Sequence, residues 1–166
     1  EAKNIFSLNY NQISILTHPS SYVHGIIKFK SGLIKLIAHD TNMKIPIFNT
    51  IYNNNSKYLK SKYLTIEILN NLSLKKVDYK KFPLVKTLQK LPKRNSLYET
   101  VVVSANDTIV NLFLDGKIQF TDISKKILKI IKDKEFLKYK NKKPEKIEDI
   151  LKLDDLVRLK IKLKSI

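Results

Sequence analysis

The chain has no cysteine, no tryptophan, one methionine and three glycines in 166 residues. Without cysteine there is no disulfide framework, thiol nucleophile or zinc knuckle, and the redox compartment stays open. The glycines stand at 25, 32 and 116. A P-loop or a dinucleotide-binding loop needs clustered glycines so that backbone N–H groups can approach phosphates, and these are too scattered for either. No apolar run approaches the roughly 18 residues of a membrane-spanning helix. The acidic start Glu1-Ala2-Lys3 is unlike a signal peptide. These absences predict a soluble chain with no membrane partner, whose targeting segment, if any, is missing. Acidic residues are few as well: 15 Asp and Glu face 32 Lys and Arg, for a formal net charge of +17.

Such an excess favours a polyanionic partner, because basic side chains that neutralise phosphates release counterions. The kind of base argues against it. Only Arg94 and Arg158 are arginines, whereas sequence-specific readers depend on the bidentate Arg fork and on interleaved stacking aromatics. The lysines are spread along the chain together with abundant Ile and Asn, as an AT-rich genome places them on tolerant surface positions. A solvated surface is the preferred reading, with no nucleic-acid partner. The length allows one domain or two small ones, and 43% hydrophobic residues can fill a core, so wholesale disorder is excluded.

From Ile13 to Ala38 the pattern has strand character. Ile13 and Ile15 alternate with polar neighbours, and Tyr22 to Lys30 is rich in β-formers. Ser31-Gly32 then separates it from the apolar run Leu33 to Ala38, which predicts a hairpin. Pro46 and the run Asn53-Asn54-Asn55 are read as breaks, and residues 53–83 carry apolar groups without a sustained period. After Pro83 the period becomes helical. Leu84, Val85, Leu88 and Leu91 form a short set closed by Pro92. Ser104 is read as the cap of a second helix, with Ile109, Val110, Phe113 and Leu114 inward, Phe113 at the centre, and Gly116 at C′. Thr121 or Asp122 caps a third, striped by Ile123, Ile127, Ile130, Ile131 and Leu137. Pro144 opens a fourth, with Ile147, Ile150, Leu151 and Leu156 inward and Asp154 paired with Arg158 at i,i+4.

One polar cluster stands out: His18-Pro19-Ser20-Ser21 with His24, then His39-Asp40-Thr41-Asn42-Met43. It lacks a Gly-x-Ser-x-Gly elbow, and no two histidines pair at i,i+4, so by itself it enforces neither a hydrolase triad nor a metal site. Its context is more specific. The stretch from Glu1 through His18-Pro19-Ser20-Ser21-Tyr22-Val23-His24 resembles the 1-deoxy-D-xylulose 5-phosphate reductoisomerase family, which carries an HPxSxxH segment. The similarity continues through Ser31-Gly32 and Met43-Lys44-Ile45-Pro46-Ile47, against the family's PDMRxPI. It resumes at Phe82-Pro83-Leu84 and at Ser104-Ala105-Asn106-Asp107, against NAANE. Asn111 to Ile123 is the most specific block, and Asp154 and Arg158 fall on a family pair.

The resemblance implies an α+β chain in three parts. Residues 1–52 would be the end of a catalytic α/β domain with a short β element, 53–83 a connecting arm, and 84–166 a C-terminal helical bundle. It implies an enzyme that rearranges 1-deoxy-D-xylulose 5-phosphate and reduces it with NADPH to 2-C-methyl-D-erythritol 4-phosphate, using Mg or Mn. The family's nucleotide domain and its metal carboxylates have no counterpart among these residues, so the chain alone is expected to be inactive. His18 and Ser21 correspond to catalytic-site positions and Met43 to a cofactor contact; no residue here corresponds to a metal ligand. The alternatives are a histidine that only ties the strand end to the next loop, and an ordinary core methionine. A homodimer is expected, with a plastid stroma or a cytoplasm as its place. The chain departs from the family where GEPDM has become His39-Asp40-Thr41-Asn42-Met43, losing a Gly and a Pro, and where the Asn of NAANE is Val103. Those departures favour the other functional reading, a non-catalytic paralogue kept as an interaction module.

Overall fold

A computed structural model describes residues 2–52, 57–88 and 90–163. The chain packs as two compact units. One joins Glu1–Ser14 to Asp78–Ile166, and the other is Ile15–Val77.

In the second unit β1 is Leu16–Thr17, β2 Val23–Lys28 and β3 Ile34–Ala38. The hairpin forms where expected: β2 and β3 pair antiparallel. Its loop closes through the Gly32 N–H on the Phe29 carbonyl at 3.0 Å, with Gly32 at φ +87°, a left-handed position that suits a residue without Cβ. The register shifts between Val23 and Gly25, which leaves His24 as the extra residue of a bulge. Ile13 and Ile15 lie outside any strand, and only Leu16–Thr17 pairs, with Lys75–Lys76.

Helix α2 spans Lys44–Ile51 and contains Pro46. This corrects the reading of Pro46 as a break: in the first turn the missing N–H has no intrahelical acceptor to lose, so proline is tolerated there. The Asn53–Asn55 run lies outside the described residues. Beyond it the stretch read as irregular carries a short helix, Ile66–Asn70, capped by the Thr65 hydroxyl, and the short strand Lys75–Lys76. None of the described residues of this unit is fully buried.

The first unit opens with a helical turn at Ala2–Ile5. Its core lies among four helices called here α5 (Leu97–Leu114), α6 (Phe120–Ile130), α7 (Lys134–Leu137) and α8 (Ile147–Leu163), α1, α3 and α4 being Ala2–Ile5, Ile66–Asn70 and Pro83–Leu88. Pro83 sits at the first position of α4, where its fixed φ suits a helix start.

Helix α5 corrects two expectations. It begins after Ser96, so Ser104 is interior rather than a cap. Its inward stripe is Val101, Ser104, Ala105, Thr108, Ile109 and Leu112, while Phe113 is half-buried against the edge of Phe120 and Leu114 is 71% exposed. The helix is apolar on several sides, and the small residues of the true stripe let α8 approach closely. Its C-terminus is as expected. Gly116 has φ +73°, its N–H reaches the Phe113 carbonyl at 2.9 Å, and the Lys117 N–H reaches Leu112 at 2.9 Å, both bonds of a Schellman motif. No atom lies within 4 Å of a Cβ built on Gly116. Gly116→Ala should therefore cost about 1–2 kcal/mol from backbone alone, read as a lower urea midpoint with unchanged m-value.

Helix α6 is capped at Gln119, with the Asp122 carboxylate accepting the Gln119 N–H at 3.2 Å, rather than at Thr121 or Asp122. Of its stripe, Ile127 and Ile131 are buried and Ile123 and Ile130 partly so. Phe136 on α7 is 1% exposed and fills the centre of the core. On α8 the inward residues are Leu153, Val157 and Ile161, whereas Ile147 and Leu151 face outward at 71% and 57% exposure. The Tyr98 hydroxyl donates to the Ile131 carbonyl, tying α5 to the end of α6, and burial holds its phenol above the ordinary range.

A polar clamp joins α5 to α8. Arg158 Nε donates to Asp154 Oδ2 at 2.8 Å and its Nη2 to Asp107 Oδ2 at 3.2 Å, while the Ser104 hydroxyl lies 2.5 Å from Asp154 Oδ1. The Arg158 bond, and then the one from Ser104, hold the Asp154 carboxyl below its usual range against the opposing effect of burial. A carboxyl lowered in the folded state stabilises above its unfolded pKa, and that stability is lost as pH falls through the folded value. Urea midpoints should therefore drop between about pH 5 and pH 2, and drop less in Asp154→Asn, measured by circular dichroism.

Candidate functional site

Strand β1 delivers His18 to a tight turn. Pro19 fixes φ at the second position, and the Ser21 N–H closes the turn on the His18 carbonyl at 3.0 Å. Ser21 itself has φ +54°, a left-handed backbone that is uncommon for serine. Residues held in such conformations gather at binding and catalytic sites. The link between His18 and Ser21 thus runs through the main chain.

The His18 ring is half-buried. Its Nδ1 lies 3.4 Å from the Ser73 carbonyl, and its Nε2 is buried without a hydrogen-bond partner. A carbonyl can only accept, so Nδ1 carries a proton in this contact, and Nε2 is left without a partner. Through Nδ1 the ring ties the end of β1 to the Ser73 carbonyl, 55 residues on, and not to the next loop; Nε2 is left over. The Ser73 carbonyl escaped sequence reasoning because it depends on β1 pairing with a strand almost sixty residues away.

Met43 lies on the loop between β3 and α2 and is 59% exposed, so it belongs to no core of this unit. The Asn42 side chain accepts the Lys44 N–H at 3.0 Å and starts the helix. At the head of the same loop the His39 ring stacks on His24, with centroids 3.7 Å apart and planes 3° from parallel. The sequence singled out both histidines but gave no sign that the bulge brings them together.

Each glycine has a structural place: Gly25 in β2, Gly32 in the hairpin loop and Gly116 in a helix cap. None opens onto a helix N-terminus in the manner of a pyrophosphate cradle. Among the described residues no three His, Asp or Glu side chains gather to hold a metal ion. Among the described residues the fit to a dinucleotide is limited to a thioether that can pack on a ring face at Met43, and none of them forms a divalent metal site.

The family profile described as DXP reductoisomerase C-terminal domain matches residues 39–160. The 1-deoxy-D-xylulose 5-phosphate reductoisomerase of Pelagibacter ubique (strain HTCC1062) is 55% identical over 166 residues, which is 100% of this chain and 43% of that protein. The enzyme of the same name from Sulfurihydrogenibium sp. (strain YO3AOP1) is 34% identical over 155 residues, 93% of this chain and 40% of its own. The chain spans about two fifths of the length of these curated relatives. Among solved structures, the reductoisomerase from Zymomonas mobilis in complex with NADPH is similar at TM-score 0.74 and 25% identity, over 99% of this chain and 42% of that one. A DOX-P reductoisomerase in complex with NADPH, fosmidomycin and magnesium is similar at TM-score 0.83 and 25% identity, over 99% and 41%.

Proposed function

This chain belongs to the DXP reductoisomerase C-terminal domain family, and on that premise we propose that it forms the C-terminal portion of a 1-deoxy-D-xylulose 5-phosphate reductoisomerase. The proposed enzyme rearranges its sugar phosphate and reduces the product to 2-C-methyl-D-erythritol 4-phosphate. The proposed parts are the end of its catalytic domain up to residue 52, the connecting arm at 53–83 and the helical domain at 84–166, with Glu1–Ser14 packed in the same compact unit as the helices. NADPH, when bound, supplies the hydride. The divalent ion, Mg or Mn, is held by residues outside this chain.

The observation that carries this reading is the buried Nε2 of His18, which has no partner of its own. A buried acceptor without a donor is costly, by about 1–3 kcal/mol, unless a ligand supplies one. In the proposed site Nε2 accepts a hydrogen bond from a substrate hydroxyl or its water, and Ser21 sets the turn that aims the ring. Met43 packs on the nicotinamide end of NADPH, since a thioether is polarizable and covers a ring face without competing for hydride. Lys44 keeps a positive charge beside the anionic ligands where the family has Arg, without the bidentate fork.

The enzyme is read as a homodimer in a plastid stroma or a cytoplasm, according to its host. The hairpin supports a larger assembly. Ile27, Ile34 and Ile37 lie 47–57% exposed on a two-stranded sheet, and a lone hairpin is at best marginal in water.

The test joins this chain to the preceding part of the Pelagibacter ubique enzyme and follows NADPH oxidation with 1-deoxy-D-xylulose 5-phosphate. Turnover by the joined protein is expected, and its absence in a folded, NADPH-binding protein would overturn the reading. The 166 residues alone should neither turn over substrate nor bind NADPH. Isothermal titration that finds micromolar affinity for the chain alone would contradict the placing of the pyrophosphate site elsewhere.

A further inference from the structure

We propose that His39 is a positioning residue, whose stacking on His24 holds the 39–43 loop so that Met43 is presented to NADPH. The proposal rests on the reading of Met43 given above. At this loop the chain departs from its family: His39 and Thr41 stand where the resemblance gives Gly and Pro. Losing a proline frees backbone that the native state must then hold in place.

The structure supplies that restraint at both ends of the loop. The bulge between Val23 and Gly25 leaves His24 unpaired in the ladder and turns its ring onto His39, 3.7 Å away and 3° from parallel. The His39 N–H donates to the Tyr22 carbonyl at 3.0 Å, which extends the hairpin one residue past Ala38, and its Nδ1 lies 2.5 Å from the Asp40 carbonyl. Asp40 follows as a hub. Its Oδ1 accepts the Thr41 N–H at 2.8 Å and its Oδ2 the Lys62 N–H at 3.4 Å. Asn42 then starts α2 through the Lys44 N–H. Met43 lies between these anchors and is itself exposed, so its place is set by its neighbours. Two aromatic rings in face contact supply attraction without needing a hydrogen bond, so any planar ring at 39 should serve.

The experiment uses the joined enzyme described above with His39→Gly, His39→Phe, His24→Ala and Met43→Ala. His39→Gly should raise the KM for NADPH about fivefold, equivalent to about 1 kcal/mol, with kcat changed by less than about twofold. His39→Phe should restore the KM, and His24→Ala should match His39→Gly. An unchanged KM in His39→Gly, or a His39→Phe variant no better than the Gly variant, would overturn the proposal. Met43→Ala separates the layers. If it raises the NADPH KM while His39→Gly leaves it alone, the stack has no positioning role. If Met43→Ala leaves the KM unchanged, the cofactor contact is wrong and the proposal falls with it. Amide exchange at Thr41 and Lys44 in the 166-residue chain reads the loop directly: faster exchange in His39→Gly, restored in His39→Phe, supports the restraint, and identical rates overturn it.

Discussion

Replacing Phe136 with alanine is expected to destabilise the helical unit by about 3–5 kcal/mol, the range for a large aromatic removed from a core that cannot collapse around the gap. The ring is 1% exposed and packed within the cluster that Ile109, Ile127 and Val157 also complete. Its helix is a single turn, capped by the Asp133 carboxylate on the Glu135 N–H and braced by the Lys160–Glu135 pair, so it has little local stability of its own. The phenylalanine holds that turn to the bundle. Phe113→Ala should cost well under half as much, because its ring is only half-buried and leans on Phe120 at the rim. Urea unfolding followed by circular dichroism ranks the two, and a larger loss at Phe113 would show the core to be centred elsewhere.

His18→Gln should lower kcat/KM of the joined enzyme by about 100-fold or more, the scale of a group that transfers or orients a proton in the transition state. Glutamine can keep a donor toward the Ser73 carbonyl, so the tie between strand end and loop survives. What it lacks is the imidazole nitrogen now buried without a partner. The loss should appear in kcat more than in the KM for NADPH, since Met43 and not His18 is assigned to the cofactor. Unchanged kcat/KM in a variant of unchanged melting temperature would reduce His18 to a structural tie.

How far the sequence could be read depended on the range of the interaction. The hairpin from Val23 to Ala38, the Gly116 cap and the Asp154–Arg158 pair rest on neighbours within a few turns or strands, and each was legible. The inward face of α5 was not. Ser104, Ala105 and Thr108 are too small or too polar to register as a hydrophobic stripe, yet they are what α8 packs against, while Phe113 and Leu114 mark a rim. Pro46 misled because proline stops a helix from its middle but not from its first turn. Within the candidate site, His18, Ser21 and Met43 stood out as part of a polar cluster and gained their roles only through family resemblance. The stacked histidines and the Ser73 carbonyl depend on a bulge and on a long-range strand pair, and neither leaves a local pattern.

The discontinuity of the helical unit has a kinetic consequence. Its first fourteen residues are separated from the remainder by the roughly sixty residues of Ile15–Val77. Closing a loop of that length costs about 4 kcal/mol of chain entropy by the logarithmic law, whereas α5 to α8 meet through short connections. Contacts near in sequence form first, so the helices from Leu97 onward should assemble early and the segment from Ala2 to Gln12 should dock late. That segment is held to the helices by light contacts such as the Lys3–Glu99 pair at 3.9 Å. It is the part of the unit from which unfolding should begin.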